Sequence, residues 1–357
     1  MKPTRFGTID GLRGYLAFFV FLHHATIWFI FSKTNLWIAP DSNFYNHLGQ
    51  SSVALFFMIT SFLFYDKLLN IELKSFSWAS FFISRFFRLT PLYVMVVFAI
   101  IILVGKYSNW TQLEPRKVSM ANAMDWLLFT IPGVPYINTI DPFFFVAGVT
   151  WSLPYEWCFY FILPLIALTT RTRSSIAALI LSGIAVWVAQ SHNLEPRYLS
   201  MFGGGLVAAK LVRYEKFLRF SQKPLASVIL LATLGVVLIY PTAYHIIPFL
   251  CLTAAFCMIA GGTDLFGILL TKTSRRLGEV AYSIYLVHGL MLFTMINMVV
   301  GKENIARMST VSYWLCIALL VPFLLGICGL TYHFIEKPGI DFGKKLAAKL
   351  SQARRSR

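Results

Sequence analysis

Charged residues are scarce in this chain, at 13% of its 357 positions, and the acidic ones number 15 against 31 Lys and Arg. Because soluble domains carry about 25% charged residues, this composition excludes an ordinary soluble enzyme. Hydrophobic residues instead make up 57% of the chain, and the mean hydropathy is +0.68. These values are typical of a polytopic membrane protein, and we predict an all-α integral membrane fold.

Cysteine is also rare, and no two of the cysteines form a Cys-x-x-Cys pair. The five cysteines lie in apolar segments: Cys158, Cys251, Cys257, Cys316 and Cys328. This pattern predicts neither a disulfide framework nor a zinc site. The histidines lie in different segments without the spacing of metal ligands, so we expect no metal.

Two further properties are not expected of this chain, a cleavable signal peptide and a nucleic-acid partner. A cleavable signal peptide is not expected, because Arg13 interrupts the first apolar run near its start and no small-residue cleavage site follows it. A net charge of +16 would indicate a nucleic-acid partner in a soluble protein. In this chain the basic residues flank apolar segments, so we expect a lipid bilayer as partner and no nucleic acid.

Ten apolar segments predict about ten transmembrane helices, and together they form a single domain over residues 1–335. The segments lie at roughly 9–31, 48–69, 86–105, 148–169, 174–191, 196–213, 225–243, 245–261, 279–300 and 311–335. The sixth is the weakest, because it is short and glycine-rich and carries Lys210. A basic cytoplasmic tail is expected over residues 336–357, with Lys337-Pro338 ending the last helix.

The distribution of Lys and Arg sets the predicted orientation. With the N-terminus inside, 24 of the 31 basic residues fall in cytoplasmic segments and 7 in outer segments. Cytoplasmic loops of membrane proteins carry such an excess of basic residues. Both termini are therefore predicted to be cytoplasmic.

The first apolar segment carries ionisable residues, which are costly inside a membrane and indicate function. At about 100° per residue, the eleven steps from Arg13 to His24 make close to three full turns of helix. These two side chains are therefore predicted to lie on one stripe of one helix, about 16 Å apart along its axis.

A second ionisable group is expected at the depth of His24. His24 lies roughly 10 Å, and Glu156 roughly 12 Å, below the predicted outer surface. Ser152, Tyr155 and Tyr160 share the helix face of Glu156. A carboxylate that orients an imidazole is the usual arrangement for a general base or an acyl-accepting nucleophile. The alternative is that the two groups only satisfy each other within the bundle.

Other polar residues lie near the predicted membrane faces or midplane. His288 falls near the midplane of the ninth segment, either as a second relay group or as a structural hydrogen-bonding partner.

Arg85 and Arg88 share a face at the start of the third segment. Arginine forks suit phosphate, whereas the alternative is simple anchoring at the positive-inside surface.

Four motifs resemble those of the integral-membrane acyltransferase-3 family, and they occur in the order of that family. They are Asp10-Gly11-Leu12-Arg13-Gly14 followed by His24; Arg85, Arg88, Pro91 and Tyr93; Trp151-Ser152-Leu153 with Glu156, Phe159, Tyr160 and Pro164; and Tyr282-Ser283-Ile284-Tyr285-Leu286-Val287-His288. One departure is Thr60-Ser61, where the family usually has Ser-Gly; this difference concerns how closely the helices pack. Because the sequence shows no fused hydrolase-like domain, we expect the stand-alone branch, which acetylates cell-surface glycans, rather than the two-domain branch.

The resemblance implies transfer of an acyl group, expected to be acetyl, from cytosolic acyl-CoA to a hydroxyl of a cell-surface or lipid-linked glycan. His24, Glu156 and Arg13 would be catalytic, and Arg85 and Arg88 would bind acetyl-CoA as cosubstrate. Seven residues would line the substrate site: Trp151, Ser152, Tyr155, Tyr160, Ser283, Tyr285 and His288. The implied location is the bacterial inner membrane.

Two alternatives remain open at the level of sequence. Intramembrane histidines and a carboxylate also suit a proton-coupled transporter, which typically shows inverted repeats and broken helix pairs. The sequence shows neither beyond its glycine-rich sixth segment. The second alternative is an acyl shuttle that delivers the group to a separate periplasmic enzyme.

Overall fold

The computed structural model describes residues 6–70, 76–170, 174–192 and 194–355, and within these ranges the regular secondary structure is helical, with no strands. The α-helices are α1 (Gly7–Thr34), α2 (Asn43–Asn70), α3 (Trp78–Tyr107), α4 (Arg116–Leu127), α5 (Leu153–Ile166), α6 (Ile176–Ser191), α7 (Pro196–Leu211), α8 (Glu215–Ser221), α9 (Pro224–Ile239), α10 (Ile246–Ala260), α11 (Lys272–Glu279), α12 (Ala281–Thr294), α13 (Lys302–Arg307), α14 (Thr310–Thr331) and α15 (Lys337–Arg355). Short 3₁₀ segments lie at Pro142–Val146, Val149–Ser152, Ala167–Thr169 and Ile268–Leu270, and π-helical segments at Met295–Val300 and Tyr332–Glu336.

Each of the ten predicted segments coincides with a helix, and six helical stretches within the described ranges are long and apolar enough to cross a membrane. These stretches are Gly7–Thr34, Asn43–Asn70, Trp78–Tyr107, Val149–Thr169, Ala281–Val300 and Thr310–Leu350. A seventh is added if α8 and α9, which are bent by 80° at their junction, form one span. Because a spanning helix needs about 20 residues, α6 (16 residues), α7 (16) and α10 (15) are short for a crossing.

The chain is therefore a multi-pass membrane protein, while the count of ten and the side of each terminus stay predictions. The predicted orientation rests in part on basic residues outside the described ranges. These are Lys2, Arg5, Lys74, Arg171, Arg173 and Arg357.

The chain divides into two compact units. Unit 1 comprises Met1–Phe76, Leu165–Arg173 and Leu194–Tyr282, and unit 2 comprises Ser77–Pro164, Ser174–Asn193 and Ser283–Arg357. Unit 1 contains α1, α2 and α7 to α11, with α2 packed between α1 and α7. Unit 2 contains α3, α4, α6, α13, α14 and α15, together with most of α5 and α12.

Glycines allow α1 to approach its neighbours closely within unit 1. A Cβ added at Gly11 would lie 2.0 Å from the carbonyl oxygen of Leu269, and one added at Gly278 would lie 1.9 Å from that of Asp10. Only glycine fits at such distances. The glycines at the start of the Arg13 motif and on α11 thus fix the position of the N-terminal part of α1.

The last helix of unit 2 differs from the prediction. Lys337-Pro338 does not end the helical path: after the π-helical segment Tyr332–Glu336 the chain continues directly into α15. Pro338 falls in the first turn of α15, where its missing N–H is tolerated. The predicted tail from residue 336 is thus largely a helix, which packs along α3, with Gly339 against Pro91.

Candidate functional site

Arg13 and His24 lie on one unbroken helix in unit 1, as the sequence predicts. α1 runs without interruption from Gly7 to Thr34, and both side chains are partly buried. Their eleven-residue separation corresponds to about 16 Å along the helix axis. Arg13 and His24 therefore lie on one continuous helix, as the stripe requires.

The imidazole of His24 is held by its own helix. Its Nδ1 lies 3.1 Å from the carbonyl oxygen of Val20, one turn earlier. Because a carbonyl oxygen only accepts hydrogen bonds, this contact requires the proton of the neutral ring on Nδ1. The lone pair is then on Nε2, which is the atom that a general base or nucleophile would use.

His23 is a neighbour that the sequence reasoning left without a role. Its Nδ1 lies 2.8 Å from the carbonyl oxygen of Tyr45, and its ring meets the His24 ring edge-on with centroids 5.2 Å apart. A Cβ added at Gly49 of α2 would lie 2.4 Å from Cδ2 of His23. α2 thus fixes the His23 ring, which in turn packs against His24.

In unit 2, two distant motifs meet at a pair of buried hydroxyl groups. The hydroxyl of Tyr285 donates to the carbonyl oxygen of Val149 (3.0 Å) and lies 2.7 Å from Oγ of Ser152. With the tyrosine proton engaged in this way, Ser152 is the donor in the second bond. The structure therefore joins the Trp151-Ser152-Leu153 motif to the late motif that contains Tyr285.

Glu156 has partners of its own in unit 2. The hydroxyl of Tyr160, one turn later on α5, donates a hydrogen bond to Oε1 of Glu156. The Tyr160 hydroxyl also interacts with the guanidinium of Arg85 on α3. Glu156, Tyr160 and Arg85 therefore form one polar cluster, which the sequence predicted only as separate motifs. Nearby on the chain, Trp151 and Tyr155 meet edge-on with centroids 5.8 Å apart.

Arg88 pairs with the carboxylate of Glu336, the first residue of the predicted tail over 336–357. Its Nη1 lies 3.2 Å from Oε1 of Glu336, whose side chain is fully buried, and Oγ of Ser283 donates to Oε2 of Glu336 at 3.3 Å. The sequence could have indicated a functional or structural role for Glu336, because it is an acidic residue at the end of an apolar segment.

His288 is fully buried within unit 2. Its Nδ1 lies 2.8 Å from the carbonyl oxygen of Ile284 on the preceding turn of α12. This carbonyl again assigns the proton of the neutral ring to Nδ1. The two predicted roles of His288, relay group and structural partner, both stay predictions.

The model of a family described as "Acyltransferase domain", acyltransferase-3, matches residues 6–333. The chain belongs to the acyltransferase-3 family. No curated protein and no solved structure matches the chain. Membership supports a membrane acyltransferase, in agreement with the apolar helices.

The matched range of this acyltransferase-3 chain contains every predicted site residue from Arg13 to His288. Arg13 and His24 lie in unit 1, whereas Arg85, Arg88, Glu156 and the predicted substrate-lining residues lie in unit 2. The pairing of His24 with Glu156 therefore stays a prediction. Glu336, which pairs with Arg88, lies three residues beyond the matched range.

Proposed function

We propose that this acyltransferase moves an acyl group, in the first instance acetyl, from cytosolic acyl-CoA to a hydroxyl of a cell-surface or lipid-linked glycan. The proposed location is the bacterial inner membrane, with both termini in the cytoplasm. The glycan hydroxyl would attack the thioester carbonyl, the C–S bond would break, and CoA would leave as the thiol.

The orientation of His24 is the observation that carries this proposal. The bond from its Nδ1 to the Val20 carbonyl oxygen leaves the lone pair on Nε2 and fixes the ring. A fixed, neutral imidazole can accept the proton of an attacking hydroxyl or itself attack the thioester. At its predicted depth in the membrane, the imidazole would be accessible to a reaction between substrates from opposite faces.

The other predicted site residues receive roles in this proposal. Glu156 would stabilise the protonated form of His24. Arg85 and Arg88 would bind the phosphates of acyl-CoA, because a guanidinium offers five donors in a planar fork that suits phosphate. Arg13 would support the donor from the start of α1.

The test is transfer from radiolabelled acetyl-CoA by purified protein, comparing wild type, His24→Ala and His245→Ala. His245 is an exposed histidine at the N-terminal end of α10, so it is a matched control. We expect release of CoA and labelling of glycan or protein to be lost in His24→Ala and retained in His245→Ala. Full transfer by His24→Ala would refute the role of His24, and no turnover by wild type would refute acetyl-CoA as donor.

A further inference from the structure

Glu336 is a buried carboxylate that none of the proposed catalytic roles uses. Its side chain is fully buried, and its Oε1 lies 3.2 Å from Nη1 of Arg88 on α3. Oγ of Ser283, which is also fully buried, donates to the other oxygen, Oε2, at 3.3 Å. Three helical segments of unit 2, namely α3, α12 and Tyr332–Glu336, therefore meet at this one carboxylate.

Glu336 is the last residue of the π-helical segment between α14 and α15. Within this segment Phe334 is 68% exposed, whereas Glu336 is fully buried. A π-helical turn changes the register of the helix that follows, and such turns occur frequently at functional sites. The segment thus directs its acidic residue inward, toward α3 and α12.

Close packing of α15 on α3 holds the ion pair in place. A Cβ added at Gly339 would lie 2.6 Å from Cγ of Pro91, and one added at Gly343 would lie 2.6 Å from Cβ of Phe87. These two contacts lie on either side of Arg88 along α3. The position of Glu336 relative to Arg88 is therefore determined by backbone packing as well as by charge.

Burial gives the ion pair a direction. The carboxylate of Glu336 is fully buried and the side chain of Arg88 is 22% exposed, so the accessible part of the pair belongs to Arg88. A guanidinium has five N–H donors. In the part of the chain that the structure describes, the Arg88 guanidinium makes no other ion pair and no side-chain hydrogen bond. Glu336 thus holds one side of the guanidinium and leaves further donors open to a ligand.

A buried ion pair favours a defined geometry more than it favours stability. The cost of removing two charges from water offsets most of their attraction, so apolar residues of the same volume would stabilise the fold equally well or better. A fixed carboxylate does, however, restrict the guanidinium to one orientation. A ligand of Arg88 then does not have to order this long side chain on binding.

The surroundings of Arg88 suit an anionic ligand. Oγ of Ser80 donates to the carbonyl oxygen of Ala347, so α15 runs along the N-terminal half of α3. The exposed Lys344 and Lys345 of α15 therefore lie at the level of the α3 segment that leads to Arg88. Basic side chains from two helices raise the local potential for an anion such as a phosphate.

We propose that Glu336 is a positioning residue for donor binding: anchored by Ser283, it holds the Arg88 guanidinium so that the open donors meet a phosphate of acyl-CoA. This inference rests on the proposed function, which assigns Arg88 to the phosphates of the donor. Ser283 acts in it through Glu336, as the second anchor of the carboxylate.

The experiment measures equilibrium binding of radiolabelled CoA to the purified full-length protein without any acceptor, and competition by unlabelled pantetheine, which has no phosphate. Glu336→Gln should raise the Kd of CoA about tenfold, the effect of losing about one hydrogen bond to a charged group, and leave competition by pantetheine unchanged. Ser283→Ala should raise the Kd of CoA about two- to threefold, again without affecting pantetheine. The double variant Arg88→Met/Glu336→Gln should bind CoA no more weakly than Arg88→Met, because Glu336 acts through Arg88.

Asp341→Asn is the matched control. Asp341 is an acidic residue of the same helix, α15, and it is 52% exposed beside Lys344. Removing a negative charge from this helix should by itself leave the Kd of CoA unchanged or slightly lower. A weaker affinity in Glu336→Gln and not in Asp341→Asn would therefore identify the contact with Arg88, rather than the net charge of α15, as the cause.

Two results would overturn the proposal. Equal or tighter CoA binding by Glu336→Gln would mean that the carboxylate competes with the phosphate for Arg88, and a parallel loss of CoA and pantetheine binding would show a structural role only. If Glu336→Gln does not fold, Ser283→Ala decides by the same two measurements, and no selective loss of CoA overturns the proposal.

The outcome for Glu336 is separable from the outcome for the proposed function, because CoA binding needs no transfer. Wild type that binds CoA through Glu336 but transfers no acyl group would retain the positioning role and remove the proposed function. Transfer by wild type with unchanged CoA binding in both variants would remove the positioning role alone. No CoA binding by wild type would remove both.

Discussion

Gly205 of α7 lies directly on Ser61 of α2. A Cβ added at Gly205 would lie 2.0 Å from Oγ of Ser61 and 2.0 Å from the carbonyl oxygen of Met58. Ser61 is fully buried and donates to that same carbonyl at 3.1 Å. Where the family usually has Ser-Gly on α2, this chain has Thr60-Ser61, and the glycine that permits close packing is on the partner helix.

Gly205→Ala is therefore expected to destabilise unit 1. The added methyl group cannot fit without separating α2 from α7, and overpacking of this kind costs about 1–3 kcal/mol. The neighbouring Gly203 is a matched control, because a Cβ there meets nothing within 4 Å. Gly203→Ala should be neutral or stabilising by up to about 1 kcal/mol, since alanine favours helix. Thermal unfolding of the purified variants measures both, and an equal loss of stability would contradict the prediction.

The helices of this protein could largely be predicted from sequence, whereas the count of ten membrane crossings stays a prediction. Apolar runs identify helices because buried or lipid-facing helices must be apolar on most sides. Hydropathy does not report where a helix ends, however. α6 and α10 are apolar, yet with 16 and 15 residues they are short for a full crossing.

In the candidate site, the relation between residues of one helix could be predicted from sequence, whereas contacts between helices could not. The Arg13–His24 stripe followed from helical periodicity, because both residues belong to one helix. Contacts between segments distant in sequence, such as Ser152 with Tyr285 and Arg88 with Glu336, depend on tertiary packing. Periodicity carries no information about them. The continuation through Lys337 was mispredicted because a π-helical segment shifts the register just before Pro338.

The ion pair between Arg88 and Glu336 predicts an asymmetric effect of substitution. Arg88→Met leaves a fully buried carboxylate without its cation, which we expect to cost about 3 kcal/mol of stability. Glu336→Gln should cost less, because Arg88 is 22% exposed whereas Glu336 is fully buried. The double variant should be more stable than Arg88→Met alone, since the uncompensated buried charge is gone. Thermal unfolding of the three variants measures this order.

An exposed ion pair provides the control for this cycle. Glu215 and Arg219 of α8 are 75% and 73% exposed, and such pairs contribute about 0.2–1 kcal/mol. Arg219→Met and its double variant with Glu215→Gln should therefore differ little from wild type. A double Arg88→Met/Glu336→Gln variant no more stable than Arg88→Met would show that the buried charge is not the source of the effect.

Gly49 links α2 to the histidine pair, so its substitution tests the geometry of His24 without altering a histidine. In Gly49→Ala the new methyl group would lie 2.4 Å from Cδ2 of His23, and the ring must move away from the Tyr45 carbonyl. Because the His23 and His24 rings pack edge-on, we expect the shift to reach His24 and to lower kcat for acyl transfer about 10- to 100-fold. Gly235→Ala on α9, where a Cβ meets nothing within 4 Å, should keep full kcat. Unchanged kcat in folded Gly49→Ala would mean that the His23 ring does not determine the position of the reacting imidazole.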